Sequence, residues 1–147
     1  MPNLIPKKTK YRFPHSTSWE GKAKGHKSLN QGEHGLQACQ GAYIDHRQIE
    51  AFRKVISPFI KKSKGEGKMW INIFPHLAKT KKPLEVRMGS GKGSIDTWVA
   101  VVKSGTIIAE LSGLEKELAR KVLKAAVHKL PIKCKIISKD EENEAKK

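Results

Sequence analysis

A glycine-rich stretch at residues 87–94, RMGSGKGS, carries residue types that could bind phosphate. Its three glycines open backbone conformations closed to other residues and let the chain approach a ligand closely. The spacing does not match a nucleoside-triphosphate loop, because Gly93 follows Lys92 where Ser or Thr is needed. It does not match the dinucleotide fingerprint either, because a predicted strand follows where a helix should begin. Two interpretations stay open: a flexible hairpin tip, or a loop whose backbone and cations contact an RNA phosphate track.

Catalytic and metal-binding patterns are not found in the sequence. The six histidines are scattered, and none has a metal-ligand spacing beside a cysteine or an acid cluster. Glu115 and Glu117 fall in the first turn of a predicted helix, where they compensate its dipole. Cys39 and Cys134 lie far apart in the sequence and build neither a disulfide framework nor a metal motif. The sequence therefore predicts no enzyme, no metal and no cofactor.

The charge balance indicates a partner rich in phosphate. The 147 residues include 30 Lys and Arg against 14 Asp and Glu, which gives a net charge of +16. Such self-repulsion disfavours a compact chain unless a polyanion is present. The sequence has no apolar run near the ~20 residues of a membrane span and no apolar segment typical of a signal peptide. We therefore expect one basic domain that binds nucleic acid, with no membrane and no small-molecule substrate.

Residues 1–34 are predicted to form an extended basic arm. Residues 7–15 interleave four cations with two aromatic side chains, and no helical or strand period is sustained. A solvated tail is one interpretation; the other, which the overall charge favours, is an arm that folds onto nucleic acid. At the other end, residues 139–147 are acidic and are predicted to be a disordered tail.

Residues 35–138 are predicted to form an α+β domain. Asp45 and Gln48 resemble a capping box before an apolar stripe at helical spacing, and Pro58 should end or kink that helix near Ser57. Six cations crowd the helix and its exit: Arg47, Arg53, Lys54, Lys61, Lys62 and Lys64. They fit a solvated face as well as a phosphate-facing stripe.

Strands and a second helix are predicted downstream. Alternating apolar residues at 69–73 and 84–88 indicate strands, and residues 97–102 and 106–111 are predicted to pair across a turn at 103–105. Ser112 and Glu115 resemble a second capping box. The predicted buried residues of that helix are Leu114, Leu118, Val122, Ala125 and Ala126. A last strand alternates Ile132, Cys134 and Ile136 with lysines, and Cys134 is predicted to be a small core residue.

Longer motifs resemble one family. The runs KMWINIFPH at 68–76 and KKPLEVRMGSGKG at 81–93 are strongly similar to ribosomal protein sixteen of the large subunit in bacteria and organelles. Shorter motifs at residues 6–12, 47–51, 98–100, 117–120 and 129–133 also resemble this family, and all the motifs occur in the family's order along the chain. The resemblance covers about residue 6 to residue 138. The forms of the loop and of residues 74–83 lean towards low-GC Gram-positive relatives.

This resemblance implies a structural constituent of the large ribosomal subunit rather than an enzyme. Family members bind the large rRNA near the A-site side of the peptidyl-transferase region, help shape the tRNA site and join late in assembly. The implied fold is hammerhead-like, with two helices packed on a curved mixed sheet. The implied partners are rRNA, the A-site tRNA with the P-site tRNA as a further candidate, and neighbouring ribosomal proteins. The implied location is the bacterial cytoplasm, or the organelle matrix for an organelle-encoded chain.

The resemblance also selects site residues. The candidates for rRNA contact in the arm are Lys7, Lys8, Lys10, Tyr11 and Arg12, and Arg47, Arg53 and Lys54 of the helix join them. The loop residues expected to face rRNA and tRNA are Arg87, Met88, Gly89, Ser90, Gly91, Lys92 and Gly93. The chain departs from many members at residues 40–44, where QGAYI replaces a basic segment, so phosphate contact there should be weaker.

Two other classes of function remain alternatives at this point. A free RNA-binding module outside the ribosome would have a stable folded arm and would act without other ribosomal proteins. A small enzyme would use the glycine-rich loop for a phosphorylated ligand, and Lys92→Ala would remove its saturable nucleotide binding.

Overall fold

The computed structural model describes residues 5–11, 13–63 and 66–139, and these form two helices and seven strands. The helices are α1 (His46–Lys62) and α2 (Lys116–Val127). The strands are β1 (His34–Ala38), β2 (Ala42–Asp45), β3 (Lys68–Ile71), β4 (Leu77–Lys81), β5 (Ser94–Val102), β6 (Ile107–Ser112) and β7 (Cys134–Ser138). The acidic residues 140–147 lie outside the described residues. The predicted α+β class is confirmed.

The strands divide into two sheets. One has the order β3-β6-β1-β7 and the other the order β2-β5-β4, and every pair of named strands is antiparallel. Two antiparallel sheets thus stand where the resemblance implied one curved mixed sheet. The helices pack on each other and on this framework, and they enclose a continuous core around Phe52, Leu36, Leu111 and Leu123.

The first helix begins where the sequence predicted. The Asp45 carboxylate accepts a hydrogen bond from the Arg47 amide at 3.4 Å, and the Gln48 side chain accepts one from the Asp45 amide at 2.9 Å. This confirms the capping box. The sequence predicted that Pro58 ends or kinks the helix near Ser57; an end there is wrong, because the helix continues through Pro58 to residue 62. The apolar stripe of the helix is buried in the core, and that burial outweighs the one backbone hydrogen bond that proline removes.

The predicted strand at residues 84–88 is wrong. Its apolar side chains are exposed to solvent, Leu84 by 85%, Val86 by 55% and Met88 by 95%. Glu85 has a φ of +66°, which an extended strand cannot accommodate. The strand that precedes this segment is β4, which pairs with β5 in a register that joins Lys81 to Ser94. Residues 82–93 are therefore a long hairpin connection, and their alternation of apolar residues does not report burial.

The predicted hairpin across residues 103–105 is also wrong. Strand β5 pairs with β2 and β4, whereas β6 pairs with β1 and β3, so the two strands belong to different sheets. Gly105, with φ of +88°, turns the chain from one sheet to the other. Because each strand already has two neighbours, neither has a free edge for the other.

The second helix begins at Lys116, later than the capping box predicted at Ser112 would place it. Ser112 is the last residue of β6 and pairs with Lys68, so it is not available as a cap, and the N-cap residue is Glu115, whose side chain makes no capping hydrogen bond. Leu118 is 37% exposed, and Ala125 is exposed as well. The buried residues of the helix are Ala119, Val122, Leu123 and Ala126. The predicted stripe is correct at Val122, Ala126 and the preceding Leu114.

Part of the predicted arm packs on the four-stranded sheet. Ala23 and Leu29 are buried, and the Ala23 amide donates to the Ser104 carbonyl at 2.8 Å. The Ile107 amide donates to the His26 carbonyl at 2.9 Å. Residues 22–32 are thus held by backbone hydrogen bonds and apolar contacts.

Cys134 is half-buried, in agreement with the predicted core role. Burial, with a smaller contribution from the nearby Cys39, raises the pKa of the Cys134 thiol to about 12. The thiol is therefore protonated at neutral pH. Cys39 is exposed.

Candidate nucleic-acid interface

The glycine-rich loop is the tip of the β4–β5 hairpin. Its backbone reverses through positive φ angles at Gly89 (+102°), Ser90 (+55°) and Gly91 (+85°), and the Lys82 ammonium donates to the Gly89 carbonyl. A Cβ atom on Gly93 would lie 2.6 Å from the Lys81 carbonyl oxygen, so this position needs glycine for close approach of the two hairpin arms. The loop is therefore shaped by its own backbone.

The side chains of this loop point to solvent. Arg87 and Lys92 are exposed, and so are the apolar Leu84, Val86 and Met88. Exposed cations beside exposed apolar groups can neutralise phosphate and cover the faces of bases or sugars. The tip of the hairpin therefore presents both kinds of group on one exposed surface.

The arm contacts this loop. The Lys92 ammonium lies 5.5 Å from the centroid of the Phe13 ring, a cation–π arrangement. Further along the arm, the Tyr43 hydroxyl of β2 donates to the Thr17 carbonyl at 2.7 Å, and the Lys79 ammonium of β4 lies 4.1 Å from the Tyr43 ring. The arm thus runs along the three-stranded sheet towards the hairpin tip. We call residues 7–11 and 13–19, the loop 82–93 and these sheet residues the arm–loop surface.

The predicted arm residues are exposed where the structure describes them. Lys7, Lys8, Lys10 and Tyr11 are all exposed, and the Lys10 ammonium lies 5.4 Å from the Tyr11 ring centroid. Arg12 lies outside the described residues. The arm therefore presents its cations and its aromatic ring to solvent together.

The helix cations differ from one another. Arg47 and Lys54 are exposed and lie seven residues apart on α1, on the side opposite the buried stripe. Arg53 instead forms a bidentate pair with Glu50, with Nε–Oε2 at 2.8 Å and Nη2–Oε1 at 2.7 Å. A third contact joins its Nη1 to the Ser57 hydroxyl at 3.3 Å.

This pairing affects both partners. The hydrogen bond with Arg53 lowers the pKa of the Glu50 carboxyl, and the same bond raises the pKa of Arg53. The two charges largely cancel, so Arg53 offers an external phosphate less than Arg47 or Lys54 does.

The sequence did not single out Tyr43, Lys79 or Thr17. They are separated by up to 62 positions in the chain, and only the β2-β5-β4 order and the path of the arm bring them together. The one sequence signal for this group was a lysine in a strand-forming segment, Lys79. Lysine is common on edge strands because it prevents their aggregation, so this signal does not indicate a binding site.

Within the described ranges, no group of three or more His, Cys, Asp or Glu side chains is placed to hold a metal ion. No helix among those residues combines the length and apolar character needed to cross a membrane.

Comparison with known proteins gives one consistent family. The family described as "Ribosomal protein L16p/L10e" matches residues 6–137. "Large ribosomal subunit protein uL16" of Spiroplasma citri is 57% identical over 139 residues, which cover 95% of this chain and 99% of that protein. The protein of the same name from Ureaplasma urealyticum is 59% identical over 140 residues, covering 95% and 99%. That from Mesoplasma florum is 52% identical over 139 residues, with the same coverage. These relatives are bacterial, and the resemblance inferred from the motifs is confirmed.

Proposed function

The chain belongs to the ribosomal protein L16p/L10e family, and from that premise we propose that its arm–loop surface binds the large rRNA near the A-site side of the peptidyl-transferase region. As a member of this family it is a structural protein of the large ribosomal subunit and not an enzyme. In the proposed role it also helps to position the A-site tRNA, with the P-site tRNA as a further partner, and supports late assembly of the subunit in the cytoplasm.

The observation that carries this proposal is the contact between Phe13 and Lys92, 5.5 Å apart. It joins two segments that are each cationic and exposed, the arm and the hairpin tip, into one surface. An RNA strand that follows the arm therefore stays on a positively charged surface until it reaches the loop. The excess of 30 cations over 14 acids supplies the long-range attraction.

The mechanism is scaffolding and positioning. Lys7, Lys8, Lys10, Lys79 and Lys92 displace counterions from the phosphates they meet, so affinity falls with salt by roughly 0.7 to 0.9 log units per log unit of salt for each neutralised phosphate. Tyr11 stacks on an unpaired base, a contact of ~1–3 kcal/mol by alanine substitution. Arg12, outside the described residues, is assigned to the same phosphate track by the family resemblance alone.

The loop backbone takes a second part in this proposal. Gly89 and Gly91 have open space where a Cβ atom would stand and let the chain come close to a phosphate or sugar edge, while Arg87 and Met88 extend outward. Gly93 keeps the two hairpin arms together beneath them. The whole loop from Arg87 to Gly93 is the segment proposed to face rRNA and tRNA. On α1, Arg47 and Lys54 are proposed as phosphate contacts, with a smaller share for the paired Arg53.

The proposed hammerhead-like arrangement of the two helices over the sheets belongs to the same inference. It can be tested by superposing the backbone on a large-subunit relative.

Sedimentation of a cell lysate at low and then high salt tests the proposal, with this chain detected across the gradient. The proposal expects the chain in the large-subunit peak, released only at high salt. If the chain stays at the top of the gradient at low salt, the proposal is wrong, and the alternative of an RNA-binding module outside the ribosome takes its place. A matched pair of variants sharpens the result: Lys8→Gln with Lys10→Gln in the arm should lower the releasing salt concentration, whereas Lys116→Gln with Lys121→Gln on α2 should change it less.

A further inference from the structure

A cavity of about 460 Å³ lies where the two sheets meet. Thr17 and parts of three further segments line it: residues 23–26 of the packed arm, residues 72–76 after β3, and residues 100–106 from the end of β5 to the start of β6. Its volume falls within the ~300–1,000 Å³ of small-ligand sites. We call it the junction pocket. Neither the family match nor the proposed arm–loop surface assigns it a ligand.

The inner wall of the junction pocket is apolar and one of its sides is aromatic. Ala23, Ile73 and Ala100 are buried with at most 9% exposure. Phe74 also lines the pocket, yet it is 48% exposed. A large aromatic ring that stays half in solvent beside an apolar wall offers a face for a planar ligand.

The rim of the junction pocket is cationic. Lys24 and Lys103 line it from two neighbouring segments, which the hydrogen bond between the Ala23 amide and the Ser104 carbonyl joins, and His26 and His76 line it as well. Among the described residues that form the lining, none is a carboxylate. The polar chemistry of the site therefore favours an anion next to a flat apolar group, which is the chemistry of a nucleotide.

The rim is also preformed. The Ala23 amide is tied to the Ser104 carbonyl, and the His26 carbonyl is tied to the Ile107 amide, so Lys24 lies on a short strap fixed at both ends. His26 has a φ of +50°, an uncommon conformation that these two attachments hold in place. A fixed rim lowers the entropy lost on binding.

We propose that the junction pocket accommodates one unpaired nucleotide of an RNA strand, with its base stacked on Phe74 and its phosphates beside Lys24 and Lys103. An unpaired residue is required, because a base inside a helix does not expose its face. This inference rests on the proposed binding of rRNA and adds a site to it. Thr17 links the two, since it lines the pocket and its carbonyl accepts the Tyr43 hydroxyl of the arm–loop surface.

The test uses the full chain and a single-stranded ribo-oligonucleotide of about ten residues with 2-aminopurine near its centre, whose fluorescence falls when the base stacks. Phe74→Ala should weaken binding on the order of tenfold, as expected for the loss of one stacked base, and should remove the quenching. Phe74→Tyr should keep both. Phe59→Ala is the matched control, because Phe59 is also a partly exposed aromatic residue but lies on α1. Equal affinity and equal quenching for Phe74→Ala and Phe59→Ala would overturn the proposal.

A second variant and a salt series separate this inference from the proposed function. Lys24→Gln with Lys103→Gln should lower the salt slope by roughly 0.7 for each lost single-strand phosphate contact, and Phe74→Ala should leave the slope unchanged. If the wild-type chain has a steep slope that Lys24→Gln with Lys103→Gln leaves unchanged, the pocket assignment fails and the proposed function stands. If the wild-type chain has no salt-dependent RNA binding, both fail. Saturable binding of adenosine monophosphate alone, lost in Phe74→Ala, would mean a free-nucleotide site and would overturn the assignment to RNA.

Discussion

Asn72 and Glu110 form a partly buried hydrogen bond, in which Asn72 Nδ2 donates to Glu110 Oε1 at 2.8 Å. The other carboxylate oxygen of Glu110 accepts the backbone amides of Asn30, Gln31 and Gly32 at 3.1, 2.8 and 2.8 Å. One acid on β6, only 2% exposed, therefore fastens the arm to the four-stranded sheet. This side chain fixes residues 30–32, and the backbone hydrogen bonds of Ala23 and His26 hold the arm further upstream.

The first prediction concerns pH. Burial raises the pKa of Glu110, but the hydrogen bonds from Gly32, Asn72, Gln31 and Asn30 outweigh it, so the net pKa is lowered from 4.5. A lowered folded-state pKa means that the stabilisation is fully present above the unfolded value and is lost as pH falls below about 4.5 through the folded value. Glu110→Gln should cost roughly 2–3 kcal/mol of unfolding free energy at pH 7. The difference from wild type should shrink on acidification.

Denaturant unfolding of both chains from pH 7 to pH 3 measures this effect. Glu33→Gln is the matched control, because Glu33 is an exposed acid next to the same strands. Parallel pH profiles for wild type and Glu110→Gln would contradict the assigned role.

The sequence predicted correctly those elements that a few neighbouring residues determine. The Asp45–Gln48 capping box was predictable, because three residues decide it. The neighbours of β5 were not, because the short turn at residues 103–105 predicted pairing with residues 106–111, whereas β5 lies between β2 and β4. The site divides in the same way. The loop and the arm were visible as charged or glycine-rich runs, whereas the Tyr43–Lys79 pair and the junction pocket arise from the packing of distant segments.

The second prediction distinguishes the helix cations. Lys54→Gln should lower the slope of log affinity against log salt on an rRNA segment by roughly 0.7 to 0.9 if Lys54 meets one phosphate. Arg53→Gln should lower it less, because Glu50 already holds that guanidinium. Glu50→Gln should raise RNA affinity by releasing Arg53. An affinity that falls in Glu50→Gln would show that the pair serves binding as it stands.

The third prediction concerns thiol chemistry. With its pKa raised to about 12, Cys134 is almost wholly protonated at pH 8, and the thiolate is the reactive form. Cys39 is exposed and should be alkylated first by iodoacetamide in the folded chain. Peptide mass spectrometry over time measures each site, and unfolding with denaturant should equalise the two rates. Equal rates in the folded chain would contradict the burial of Cys134.

The last prediction concerns the arm–loop contact. Arg87→Ala with Lys92→Ala removes two exposed cations from a loop whose shape depends on backbone geometry and on Gly93, so the fold should be intact. Subunits carrying the variant should bind A-site tRNA more weakly or mature more slowly, because the loop no longer neutralises nearby phosphates. Phe13→Ala removes the ring under Lys92 but keeps the charge, and it should have a smaller effect on tRNA affinity. Filter binding of tRNA and the profile of assembly intermediates on a gradient measure both results. If tRNA affinity and subunit maturation are unchanged in the Arg87→Ala, Lys92→Ala variant, the loop is not part of the binding site, and the arm must carry the phosphate contacts alone.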